Sequence, residues 1–137
     1  MTPTKSGFFM KLLRFSFLLA GLIGFLRLYG GITQQPDILN FSQKAWLPAY
    51  LLVAGGLMGL VNFTIWMMLT RKPYARPWLP WAGVLINIIA YWLERHLLWA
   101  PSQRGTNALW AMGVHFAWLL LAGLSQLQLK RRRYEHE

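Results

Sequence analysis

The sequence predicts an all-α, polytopic membrane protein: one domain over residues 1–137, built as an antiparallel bundle of four transmembrane helices with both termini cytoplasmic. Composition is the first observation behind this reading. Of 137 residues, 55% are hydrophobic and only 13% charged, whereas a soluble domain carries about a quarter charged residues. Aromatics make up 15% of the chain, with eight Trp, which argues against disorder. The second observation is four long apolar stretches, and the third is the way basic residues alternate between their ends. The absence of cysteine excludes disulfides, thiolate metal sites and cysteine nucleophiles.

A helix crossing a hydrocarbon core of about 30 Å needs about 20 mostly apolar residues. The first span is read over residues 12–32. Its unbroken apolar run, Phe15 to Leu26, is twelve residues long before Arg27 interrupts it. That length also suits a signal-peptide core behind Lys5, Lys11 and Arg14, but Leu28-Tyr29-Gly30-Gly31 makes a poor cleavage site, so a retained helix is expected. The second span is read over residues 46–70, the third over 78–99 and the fourth over 107–129, each with a long uncharged stretch. A basic tail, 130–137, is expected after the last span.

Punctuation between the spans fits helices. Gln34-Gln35-Pro36-Asp37, Lys72-Pro73, Arg76-Pro77 and Pro101-Ser102 are breaks, because proline cannot continue a helix from within. Pro48 and Pro80 fall in first turns, where the missing N–H costs little. Neither strict alternation nor the ten-residue segments of an outer-membrane barrel is present.

Orientation follows from charge, since Lys and Arg are retained on the cytoplasmic side. With the N-terminus inside, that side holds Lys5, Lys11, Arg14, Arg71, Lys72, Arg76, Lys130, Arg131, Arg132 and Arg133, against Lys44, Arg95 and Arg104 opposite, with Arg27 near a span end assigned to neither side. Trp46, Tyr50, Trp99 and Trp110 mark the outer interface, and Trp66, Tyr74, Trp78 and Trp81 the inner one, where amphipathic rings prefer to sit. The net charge of +10 therefore needs no nucleic acid. Its expected partner is a lipid bilayer with an anionic inner leaflet, in a bacterial-type plasma membrane.

Polar residues inside the bilayer are costly and mark where function is sought. On the third span Gly83, Asn87, Tyr91 and Glu94 share one narrow face at about 100° per residue. Leu85, Ile89 and Trp92 lie on the opposite side, which suits lipid. At about 1.5 Å per residue, Asn87 and Asn62 are level and within reach of a hydrogen bond. Glu94 and Arg27 are level too, and an ion pair between them would explain how a short first span tolerates an arginine. The rival partners for Glu94 are Arg95 and headgroup water. His115 lies close to the level of Tyr91, and a structural hydrogen bond between them is expected. Haem or metal ligation is the alternative, but His96 lies off the inward stripe, so neither cofactor nor metal is expected.

Small residues at four-residue spacing mark faces where helix backbones approach closely. Ser16, Ala20 and Gly24 form such a line on the first span, Gly55 and Gly59 on the second, and Gly113 and Ala117 on the fourth. These read as seams within the bundle, with a homodimer through Gly55 and Gly59 as the alternative. No enzyme is expected: there are no paired carboxylates, no His-Glu-x-x-His and no Gly-rich phosphate loop.

In size and span count the chain resembles the small multidrug resistance transporters, which exchange protons for cations through an acidic residue in the first helix. The first span here holds Ser16 and Arg27 and no acid. Two function classes follow. One is a non-catalytic accessory, assembly or scaffold component packing against other membrane helices or against itself. The other is a small oligomeric transporter or channel with Asn87, Tyr91 and Glu94 lining a polar path, although midplane Gly/Pro breaks that would support it are missing.

Overall fold

The structure is a computed structural model that describes residues 7–33, 46–72, 76–99, 101–105 and 107–134. It contains four long helices, α1 (Phe8–Thr33), α2 (Leu47–Arg71), α3 (Leu79–Leu97) and α5 (Ala108–Tyr134), with a single turn, α4 (Pro101–Arg104), between the last two. Three helical segments, Phe8–Thr33, Ala49–Arg71 and Ala108–Arg131, are long and apolar enough to cross a membrane. α3 is not among them, because Asn87, Glu94, Arg95 and His96 interrupt its 19 residues. It is also the long helix whose two faces differ most in polarity. The loop signal at 34–37, together with Lys5, Lys44, Pro73 and Tyr74, lies outside the described residues.

Helix ends follow local chemistry. α2 and α3 each carry a proline in the first turn, where no intrahelical N–H bond is lost. α1 begins a turn before residue 12, and its extra turn supplies Met10 to the core. α5 runs past residue 129 to Tyr134, so much of the expected tail is helix. Nothing in Lys130-Arg131-Arg132-Arg133 breaks a helix, and cations favour the negative end of its dipole. The side chains of Arg132 and Arg133 lie outside the described residues. Before α5, Asn107 takes a left-handed φ of 59°, which Asn tolerates better than most residues.

The helices form a closed ring: α1 packs on α2, α2 on α3, α3 on α5 and α5 on α1. Neighbours run in opposite directions. Gly21, Gly24 and Gly31 of α1 meet Phe63, Gly59 and Leu52 of α2 in descending order. Trp81 and Trp92 of α3 bond Gln126 and His115 of α5, again in descending order.

The α1–α2 contact is the tightest. A Cβ on Gly24 would lie 2.8 Å from Gly59 Cα, and one on Gly55 would lie 2.8 Å from Gly24 O. Gly55 and Gly59 are thus consumed within the chain by α1. The Ser16–Ala20–Gly24 line does not serve one neighbour. Four residues advance a helix by 1.1 turns, so the line drifts, and Ser16 faces α5, where it accepts a bond from Trp118. Gly113 and Ala117 make no seam in this chain: both are exposed, and nothing lies within 4 Å of a Cβ built on Gly113. α5 instead packs through Ala111, Trp118, Ala122, Ser125 and Leu129, a heptad-like series with small residues at its centre.

The dry core fills only the half of the bundle where α1 begins. Met10, Leu13, Phe17, Ile65, Leu69, Leu79, Val84, Ala122 and Leu129 are buried together there, with Trp66, Trp81 and Trp118 packed around them. Gly83 lets the Phe17 ring through, since a Cβ would lie 2.7 Å from it.

Gly55→Ala should therefore lower thermal stability in mild detergent by about 1–3 kcal/mol, the usual cost of overpacking, because the new methyl meets backbone that cannot yield. Gly113→Ala should cost nothing, as its methyl enters open space. Equal effects of the two changes in an unfolding titration would contradict this packing.

Candidate functional site

The other half of the bundle is built around polar side chains in two layers. The first layer is at mid-height. Asn62 Nδ2 donates to Asn87 Oδ1 at 2.9 Å, and Asn87 Nδ2 returns the bond to Asn62 Oδ1 at 2.8 Å. Each amide spends its second N–H on its own helix, Asn62 on Met58 O and Asn87 on Gly83 O, both at 2.8 Å. Both side chains are buried, and the reciprocal pair satisfies every donor. Interhelical bonds of this kind contribute about 0.6 kcal/mol on average in membranes.

One layer further toward α4, Arg27 Nη2 donates to Glu94 Oε1 at 2.6 Å. The bond joins α1 to α3 across the ring. Arg27 Nη1 also reaches Met58 Sδ at 3.6 Å, and the Tyr50 hydroxyl of α2 stands near Glu94 and Arg27. The side chains of Arg27 and Glu94 are 27% and 15% exposed, so the pair is sheltered but not sealed.

Tyr91 does not join this group. Helical advance takes it toward α5, where it accepts a bond from Arg95 Nη1 at 2.6 Å and sets its ring edge-on to His115 at 4.9 Å. Arg95 corrects the expectation of an interfacial charge, because it is only 1% exposed. It sits about 100° round the helix from Glu94, so the two adjacent charges turn to different neighbours. Arg95 Nε donates to Arg104 O at 2.7 Å. Its guanidinium lies 4.6 Å from the Trp99 ring centre, 5.6 Å from Trp92 and 5.8 Å from Tyr91, a cation–π geometry that partly replaces water around a sheltered guanidinium.

Trp92 is likewise not simply lipid-facing. Its Nε1 donates to His115 Nδ1 at 3.1 Å, so the histidine's hydrogen-bond partner is Trp92, and its contact with Tyr91 is between rings. Because Nδ1 accepts, the neutral imidazole carries its proton on Nε2. Leu85 and Ile89 are exposed, as expected of that side of α3.

Sequence reasoning passed over four participants: Tyr50, Met58 and Arg104 around the two arginines, and Gln126. Gln126 accepts from Trp81 Nε1 and donates to Pro77 O at 2.6 Å. Tyr50 and Met58 lie eight residues apart on α2, with Asn62 four further on. That spacing is the signal that places all three on one helix face.

At the opposite end, where α1 begins, the described basic residues Lys11, Arg14, Arg71, Lys72, Arg76, Lys130 and Arg131 gather. Among the described residues no three His, Asp or Glu side chains converge as a metal site. What the polar half does chemically is close on itself: amide on amide, guanidinium on carboxylate, indole on imidazole.

No family model matches the chain, and no curated protein or solved structure matches it either.

Proposed function

We propose that the chain is a non-catalytic integral membrane protein of four spans, an accessory, assembly or scaffold component whose outer surface packs against other membrane helices. One observation carries this reading. The polar side chains of the half nearer α4, Asn62, Asn87, Arg27, Glu94, Arg95 and His115, are spent on one another and on nearby groups of the bundle, while the outward faces of α1, α2, α3 and α5 expose large apolar side chains along their whole length. Such a surface suits lipid or a neighbouring helix, and the polar side chains of the α4 half are engaged within the bundle.

α3 is the fourth span in this reading. Its 19 residues rise about 28 Å at 1.5 Å each, close to the hydrocarbon thickness. Its polar side chains other than the exposed His96 face α1, α2, α4 and α5, so lipid meets mainly Leu85, Ile86, Ile89 and Leu93. The basic end is the cytoplasmic one, by retention of Lys and Arg, and the antiparallel ring then returns both termini to that side. A continuous polar path for transport is disfavoured. Asn87, Tyr91 and Glu94 turn to three different partners, and the dry cluster around Phe17 and Val84 fills the bundle below them.

With no native cysteine, single replacements report sidedness cleanly. Ser102→Cys should react with an impermeant maleimide on intact cells, while Lys72→Cys and Lys130→Cys should react only after the cells are opened. Reaction at residue 130 but not at 72 or 102 would mean that α3 does not cross, and reaction at both 72 and 130 would invert the orientation. The role itself is tested by a mild-detergent pull-down from native membranes read by mass spectrometry. A stoichiometric larger complex is the expected result, and recovery of the chain only with copies of itself would count against an accessory role.

A further inference from the structure

The cationic end carries more than orientation. Phe17, Ile65 and Gly83 share one level of the bundle, and six residues further, about 9 Å on, that level becomes Lys11, Arg71 and Pro77. Lys72 and Arg76 follow within the connection to α3. The start of α1, at Gly7, abuts Gln128, which puts Lys130 and Arg131 about 9–11 Å beyond the Lys11 level. Cations from α1, α2 and α5 therefore gather within about 10 Å along the bundle axis at this end. The only acid among the described residues is Glu94, at the other end, and the sequence offers this end only Glu135 and Glu137 against ten Lys and Arg. Like charges on separate helices push those helices apart, most strongly where water does not screen them.

Apolar rings stand beside the cations. Phe8 is 70% exposed and Trp78 is 56% exposed, at the first turns of α1 and α3. A soluble polyanion has no use for such rings, whereas a phospholipid meets the cations with its phosphate and the rings with its acyl chains. We infer that anionic phospholipid is a structural ligand of this end, its phosphates lying between the cations of α1, α2 and α5 and holding those helix ends together. The inference rests on the membrane-spanning reading and adds that anionic lipid stabilises the bundle as well as orienting it. Each cation near the surface carries about a fivefold preference for an anionic membrane.

The test uses the full chain in phosphatidylcholine vesicles with and without phosphatidylglycerol, following thermal unfolding by tryptophan fluorescence. Wild type should unfold several degrees higher with phosphatidylglycerol. Raising ionic strength toward about 1 M, where the screening length falls to about 3 Å, should remove most of that difference. The K72Q/R76Q/K130Q/R131Q variant should lose the lipid response yet be at least as stable as wild type in pure phosphatidylcholine, because its helix ends no longer repel. Equal stability of wild type in both vesicles, or an undiminished lipid response in the variant, would overturn the inference. So would equal stabilisation by heparin in phosphatidylcholine. Release of the protein from both vesicles by alkaline carbonate would instead remove the spanning reading on which the inference stands.

Discussion

The bond between Arg27 and Glu94 is the interaction on which the rest of the bundle depends. Hydrocarbon solvates neither a guanidinium nor a carboxylate, and in the sheltered interior of the bundle each is held mainly by the other. The bond runs across the ring from α1 to α3, the same diagonal that the Phe17 ring crosses against Gly83 in the dry half, and so ties these two helices together at the polar end as well. It also accounts for both irregular helices at once. α1 carries a charge within its apolar run, and α3 is too polar to rank with the three helices long and apolar enough to cross a membrane. Each supplies what the other lacks.

The glycine seam makes that bond reachable. A Cβ on Gly55 would lie 3.1 Å from Arg27 Cβ as well as against the α1 backbone, so the missing side chain both brings α1 onto α2 and clears room for the arginine stem. Arg27 can then pass Met58 and arrive beside Tyr50 and Glu94. Below this layer the Asn62–Asn87 pair separates the charged half from the dry cluster around Phe17. Polar and apolar halves are thus stacked along the bundle axis, which keeps the costly groups together where they can satisfy one another.

The fold was legible in the sequence where one-dimensional quantities decide it. Length and hydropathy located the helices, prolines bounded α2 and α3, and rise per residue brought Asn62 level with Asn87 and Arg27 level with Glu94. Rotation about the helix was less legible, because small angular errors accumulate. Tyr91 is one turn from Asn87, yet it faces α5, and the Ser16–Ala20–Gly24 line twists from one neighbour to another. Gly113 and Ala117 look like a seam only while the true contact series, Ala111 to Leu129, goes unnoticed. The sheltering of Arg95 was out of reach, since its cage draws on Trp99 and on the Arg104 carbonyl beyond the end of α3. Such a backbone acceptor has no sequence signature.

The central claim is that Arg27 and Glu94 stabilise the bundle through each other, and a double-mutant cycle tests it most directly. Reversible unfolding in mixed micelles would be measured for wild type, Arg27→Ala, Glu94→Ala and the double variant. Each single change strands a sheltered charge and should cost about 2 kcal/mol, below the range for a fully buried pair because this one is partly open. The double variant should cost clearly less than the sum, with a coupling of about 1 kcal/mol or more. Strict additivity of the two losses would contradict the account.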